Sequence, residues 1–152
     1  MKQAPDLSIV ALRASRSTDA DLFYNVTAQT MRVHVAAAGG TWDDERVRRD
    51  SVKDSADPDA SVILVGGVEA GILLVERQPE EIHLRTLYLL SGYQGQGIGG
   101  ALVSALQEEA AARCVPIRLR VLKVNPAKRF YERLGFGVQE ESEYFFHMQF
   151  AT

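Results

Sequence analysis

The stretch YQGQGIGG, residues 93–100, places four glycines in eight positions directly before a segment with helical periodicity. Glycine costs order in such a place, so this density points to close approach of another molecule to the backbone. The group that suits backbone amides at a helix start is a phosphate, drawn by free N–H groups and the positive end of the helix dipole. A second charge feature lies downstream. Seven of the 17 Lys and Arg residues fall between Arg113 and Arg133, against the single acid Glu132. Lys123, Lys128, Arg129 and Arg133 in that run suit an anionic ligand, or simply a solvated basic helix face.

Other reactive residues exclude whole classes of chemistry. His34, His83 and His147 have no metal-ligand spacing among themselves or with an acid, so no metal is expected. Cys114 is the lone cysteine, which forbids an intrachain disulfide, and it reads as buried packing rather than a nucleophile. No G-x-S-x-G elbow and no G-x-x-x-x-G-K-[ST] loop occur. Gly95, Gly97 and Gly100 do satisfy G-x-G-x-x-G. A dinucleotide site, however, wants an acid about 20 residues on, where this chain reads VPIRLRVLKV with three basic residues.

The elements that must position these residues follow from periodicity. LSIVALRAS (7–15) reads as a strand, and Thr18 offers a cap with Asp19 and Asp21 in the first turn of a helix through LFYNVTAQTMRVHV. A polar second helix, WDDERVRRDSVKD, starts after Thr41. SVILV, Gly66-Gly67 and VEAGILLVE make a hairpin. EIHLRTLYLL (81–90) is a strand whose alternation predicts Glu81, His83, Arg85, Leu87 and Leu89 on one face. Residues 97–113 form a helix with Ile98, Leu102, Ala105 and Leu106 as its buried stripe. IRLRVL (117–122) is a strand, Pro126 opens the helix PAKRFYERL, Gly135 closes it, and FGVQEE and YFFHMQF end as an antiparallel pair. The order β-α-α-β-β-β-α-β-α-β-β predicts a mixed α/β fold, a sheet flanked by helices.

The 152 residues, 46% hydrophobic and 24% charged, suit one domain over 1–152 with its own core. A net charge of −3 argues against general nucleic-acid affinity. The N-terminal apolar run is too short for a signal peptide and no segment is long enough to span a membrane, so a cytoplasmic protein is expected. The final apolar strand YFFHMQF is a candidate edge for pairing across a homodimer.

Residues Gln94-Gly95-Gln96-Gly97-Ile98-Gly99 resemble the Q/R-x-x-G-x-G/A signature of the GNAT superfamily of N-acetyltransferases, and VNPAKRFYERLGF (124–136) resembles its second cofactor segment. The element order matches over essentially the whole chain. The resemblance implies a mostly antiparallel sheet of six or seven strands with about four helices. It also implies acetyl-coenzyme A as donor and a primary amine, on a small molecule or on a protein or peptide, as acceptor.

By that resemblance, the amides of residues 95–100, including Gln96 and Gly100, hold the pyrophosphate. Pantetheine enters between strands 81–90 and 117–122, and the Leu89 N–H polarises the thioester carbonyl. Tyr131 matches the tyrosine of A-x-x-F-Y and would protonate the leaving thiolate; packing is its alternative role. Asn125 and Lys128 fall beside the cofactor, although the family's asparagine stands one residue farther from its helix, and capping would equally explain Asn125. Counting back from Gln94 places His83 where some members carry a glutamate base. Glu81, two residues earlier, and a water chain are the alternatives. The first two helices and last hairpin shape the acceptor pocket in this superfamily, which nominates Tyr24, Arg32, His34, Trp42 and Tyr144. A non-catalytic acyl-coenzyme A sensor on the same fold is the alternative function.

Overall fold

The computed structural model describes residues 7–152; the first six, where the segment read for a signal peptide begins, lie outside the described residues. A seven-stranded sheet runs in the order β1-β2-β3-β4-β5-β7-β6. Its strands are β1 (Val10–Ala14), β2 (Ala60–Val65), β3 (Val68–Arg77), β4 (Ile82–Leu89), β5 (Ile117–Leu122), β6 (Gly137–Glu141) and β7 (Phe145–Phe150). Its helices are α1 (Ala20–Ala37), α2 (Asp44–Ser55), α3 (Ile98–Arg113) and α4 (Ala127–Arg133). Neighbouring strands are antiparallel except β4 and β5, which are parallel because α3 carries the chain from the end of one to the start of the other. The fold class and element order expected from the sequence are those observed.

The two faces of the sheet bury separate clusters. Phe23 and Val26 of α1 pack on Ala60, Val62, Ile72 and Leu74. On the opposite face, Ile98, Val103, Leu106 and Ala110 of α3 and Tyr131 of α4 cover Leu73, Val75, Ile82, Leu84, Ile117 and Leu119. The alternation of β3, with Leu73 and Val75 on one face and Ile72 and Leu74 on the other, gives it a continuous apolar run. Each fully buried Ile or Leu contributes about 1.5–3 kcal/mol relative to exposure.

Several local expectations are corrected. The register of β4 slips: Leu74 is opposite Thr86, but Val75 is opposite Leu84, which leaves Arg85 as an extra residue. A bulge of that kind reverses the alternation. Ile82 and Leu84 before it, and Leu87 and Leu89 after it, all join the α3 side, while Tyr88 joins the α1 side. The single face expected for Glu81, His83, Arg85, Leu87 and Leu89 therefore does not exist. Ala105 is exposed and Leu102 half-buried, with Val103 and Ala110 buried in their place. Cys114 is exposed at the end of α3 with φ 55°, not buried packing.

The expected cap Thr18 is displaced as well. Asp19 is the buried residue there, accepting two bonds from the Arg13 guanidinium at 2.8 and 2.9 Å and one from the Arg16 amide at 2.8 Å. Strand β7 lies between β5 and β6, so both its edges are occupied and it cannot add a strand across a dimer; β1 and β6 are the edges. Among the described residues no helix is long and apolar enough to cross a membrane.

Candidate active site

Strands β4 and β5 touch through only two register pairs, Ile82 with Ile117 and His83 with Arg118. Beyond them each strand keeps its outer neighbour, β4 following β3 to Leu89 and β5 following β7 to Leu122. The sheet therefore opens between them, and the facing backbone edges are available to a ligand that carries amides. The Leu90 amide donates to the Ala70 carbonyl at 2.9 Å, toward β3. Alternation in an extended chain then directs the Leu89 amide into the opening.

Gly71 makes that position possible. It is the register partner of Leu89, and a Cβ on it would fall on the Tyr88 carbonyl oxygen and within 3.1 Å of Leu89 Cα. The signal was a lone glycine inside the strand pattern VEAGILLVE, which marks close backbone approach.

At the mouth of the opening, residues Ser91–Tyr93 form a short 3-10 turn, followed by Gly95 at φ 71° and Gly97 at φ 84°. Both angles lie where a side chain is strained, so these two positions require glycine. Gly97 begins α3 without any side-chain cap. The amides of Ile98, Gly99 and Gly100, in the first turn, have no acceptor within the helix. Gln94 and Gln96 brace the loop, their side-chain amides donating to the Leu89 and Gly92 carbonyls at 2.8 Å each. Gly99 has a packing reason too, since a Cβ there would stand 3.3 Å from the Phe130 ring of α4. The result is an uncapped, sterically open helix N-terminus beside the split in the sheet, an arrangement that fits an anionic group.

Two clefts meet at this split. One, of about 530 Å³, is lined by Leu89, the glycine loop, Asn125, Phe130 and Tyr131. The other, of about 590 Å³, lies on the α1–α2 side and is lined by Trp42, Asp54, His83, Arg85, Arg120 and Phe145, among others. Tyr88, Asn125 and Tyr131 line both. Tyr131 is 9% exposed, with its ring edge-on to Phe130 and Phe136 at 4.9 and 5.5 Å. Burial, and then the neighbouring Tyr88 phenol, hold its pKa well above the ordinary phenol value. Burial likewise raises Tyr88, against the opposing charge of Arg120.

The other predicted residues divide between the clefts and the surrounding structure. His83 lines the larger cleft, its Nδ1 3.8 Å from Glu76 Oε2. Glu81 lines neither cleft and pairs with Arg118 at 3.3 Å. Asn125 Oδ1 accepts the Ala127 amide at 2.9 Å across Pro126, at the entry to α4, while facing both clefts. Lys128 lies over the Phe146 ring at 4.4 Å and lines neither cleft.

Of the acceptor candidates, Trp42 lines the larger cleft and His34 the smaller; Tyr24, Arg32 and Tyr144 line neither. Tyr24 and Arg32 act behind Trp42. The Tyr24 hydroxyl and the Trp42 indole N–H both donate to Asp44 Oδ1, and the Arg32 guanidinium covers the Trp42 ring at 5.1 Å. The Tyr24 and Arg48 bonds, with Trp42 adding to them, pull the Asp44 pKa down to about 2.

Sequence reasoning missed Asp54, Tyr88 and Arg120, which the helix α2 and the diverging strands bring to the larger cleft. Asp54 Oδ1 is buried with no hydrogen-bond partner, although the Arg85 guanidinium lies 3.2 Å away, out of line for a bond. Burial raises the Asp54 pKa, and the Arg85 charge opposes the rise.

Comparison with known proteins agrees with this geometry. The family described as "Acetyltransferase (GNAT) domain" matches residues 58–138, more than half of the chain. A search of curated proteins found no match. Among solved structures, the PaiA N-acetyltransferase of Thermoplasma acidophilum in complex with coenzyme A superposes with a TM-score of 0.71 at 18% identity, covering 94% of this chain and 99% of that one. An acetyltransferase of Thermus thermophilus gives 0.71 at 24% identity, covering 94% and 97%. Arabidopsis thaliana Naa50 in complex with the bisubstrate analogue CoA-Ac-MVNAL gives 0.67 at 15% identity, covering 95% and 99%. At these identities the likeness establishes a shared fold.

Proposed function

The chain belongs to the GNAT acetyltransferase family, and on that footing we propose that it transfers an acetyl group from acetyl-coenzyme A to a primary amine by direct attack in a ternary complex. The observation that carries this reading is the junction itself. A cleft headed by an uncapped glycine-rich helix start meets a second cleft at Tyr131, where two strands have parted. Two structural relatives are held with coenzyme A or an analogue built on it, which supports placing the donor in the smaller cleft.

In that reading the amides of residues 95–100, Gln94 to Gly100 forming the loop, bind the pyrophosphate, with Asn125 alongside the pantetheine. The free edges of β4 and β5 pair with the pantetheine amides. The Leu89 N–H donates to the thioester oxygen and stabilises the charge that develops there, the role of any preorganised donor. The amine nitrogen forms a bond to the thioester carbon as the carbon–sulfur bond breaks. Tyr131, kept neutral by burial, gives its proton to the departing sulfur. The proton shed by the amine passes to His83, directly or through water; His83 then gives it up to solvent and Tyr131 takes one back from solvent, which returns both to their starting state. Glu81 is tied to Arg118 outside the clefts, whereas His83 lines the acceptor-side cleft, which favours His83 as the base.

The test is calorimetric titration with acetyl-coenzyme A, NAD and ATP, followed by thiol release with a panel of primary amines. Selective binding of acetyl-coenzyme A with thiol release is the expected result. Binding without release for any amine would leave an acyl-coenzyme A sensor, and preference for NAD would overturn the donor assignment.

A further inference from the structure

We infer that Arg120 is the anion anchor of the acceptor site, and that the acceptor is a small primary amine carrying a carboxylate, an amino-acid-like molecule. This rests on the acetyl-transfer reading and names the substrate class of that same site. The larger cleft is lined by three arginines, Arg46, Arg85 and Arg120. Two are committed: Arg85 pairs with Asp54 and Glu76 at 3.2 and 3.3 Å, and Arg46 with Asp50 at 3.9 Å. Arg120 has no carboxylate partner among the described residues. Its guanidinium instead lies 4.3 Å over the Phe145 ring, which lines the same cleft. A guanidinium seated over a ring face without a carboxylate partner keeps its N–H donors for a ligand, and a guanidinium can receive a carboxylate in two parallel bonds.

Position strengthens the assignment. Arg120 is on β5 just past the point where β4 leaves it, and its charge acts on the Tyr88 phenol, which in turn acts on Tyr131. The cation thus shares one cleft with the residues that face the transfer point. His147, its register partner on β7, is occupied with Ser142 at 3.2 Å. The opposite wall carries Asp43, Asp50 and Asp54. With Asp50 and Asp54 paired to Arg46 and Arg85, Arg120 and Asp43 are the arginine and aspartate of the cleft left without an ion pair among the described residues, a balance that one carboxylate on an amine matches better than a group of two negative charges.

The experiment measures thiol release from acetyl-coenzyme A with α- and ω-amino acids, each against the same amine lacking its carboxylate and against its phosphonate analogue. Wild type, Arg120→Gln and Arg120→Lys are compared. The expected result is a kcat/KM preference for the amino acid of about 10-fold or more in the wild type, as a charge-assisted bond provides. Arg120→Gln should bring that ratio to about 1, with Arg120→Lys retaining part of it, since a lysine keeps the charge without the fork.

The ratio matters because a merely structural loss lowers both amines together. Equal losses with an unchanged ratio, a wild type that prefers the uncarboxylated amines, or one that prefers the phosphonates would each overturn the inference while leaving acetyl transfer standing. If no amine releases thiol, the transferase reading fails, and calorimetry of the same pairs on the coenzyme A-loaded protein decides the anchor. Carboxylate binding that Arg120→Gln removes sustains it; its absence overturns it.

Discussion

Gly71 on β3 lies opposite Leu89 on β4 so closely that no other residue fits between that strand and the Tyr88 carbonyl. The end of β4, which carries the amide aimed at the opening, is therefore held by close backbone contact with β3 as well as by the Gln94 side chain on the Leu89 carbonyl. Gly71→Ala should push the Tyr88–Leu89 segment away, costing about 1–3 kcal/mol by overpacking. Thermal unfolding would show the lower Tm. kcat/KM for acetyl-coenzyme A should fall further than the stability loss accounts for; a variant with a lower Tm and normal kcat/KM would show that the exact place of Leu89 does not matter.

Tyr131→Phe removes one oxygen and keeps the packing against Phe130 and Phe136. If the hydroxyl donates to the leaving sulfur, kcat should drop about 100-fold while the dissociation constant for acetyl-coenzyme A changes little. The same variant has a stability signature. The folded phenol has a raised pKa, so folding is favoured in full below the unfolded value of about 10 and loses that support as pH rises beyond it. Wild type should therefore lose stability above pH ~10 faster than Tyr131→Phe. Parallel alkaline curves would mean that the phenol is not held neutral.

His83→Gln should lower kcat/KM about 100-fold or more, the usual contribution of a positioned base. Glu81→Gln, outside both clefts, should change it by no more than about twofold, since only a surface pair with Arg118 is lost. Swapped outcomes would move the base to Glu81.

Asp19 joins β1 to the start of α1 through Arg13 and the Arg16 amide. The Arg13 bonds, chiefly, hold its carboxyl below the usual range, so its support is present above the unfolded pKa of about 3.9 and is lost as pH falls through the lower folded value. Asp19→Asn should cost about 1.5–3 kcal/mol near neutrality, because Arg13 loses its two charge-assisted bonds to Asp19 and keeps only Glu69 at 3.3 Å. Denaturant titrations at pH 7 and at low pH should show that difference shrinking in acid.

The element order, the phosphate-suited loop at residues 93–100 and the place of Tyr131 on its helix were all legible in the chain. Those features are local. Hydrophobic period, glycine spacing and the Pro126 and Gly135 boundaries act over a few residues, and the backbone responds to them directly. The reading of β4 went wrong at Arg85 because a bulge is decided by the partner strand β3, not by the alternation of β4 itself. Cys114 looked like core from its neighbours, but the left-handed end of α3 turns it outward.

The acceptor side was the least legible part. Asp54, Tyr88 and Arg120 come from α2, β4 and β5, and nothing in their separate neighbourhoods marks them as partners. Their meeting depends on where the two central strands cease to pair, and on which arginines find carboxylates first. The sequence by itself determined the order of elements and a glycine loop suited to a phosphate, because those follow from torsional and periodic constraints along the chain. Only the tertiary structure decided which side chains face one another across the opened sheet, because that is settled by long-range packing and charge pairing between segments far apart in sequence.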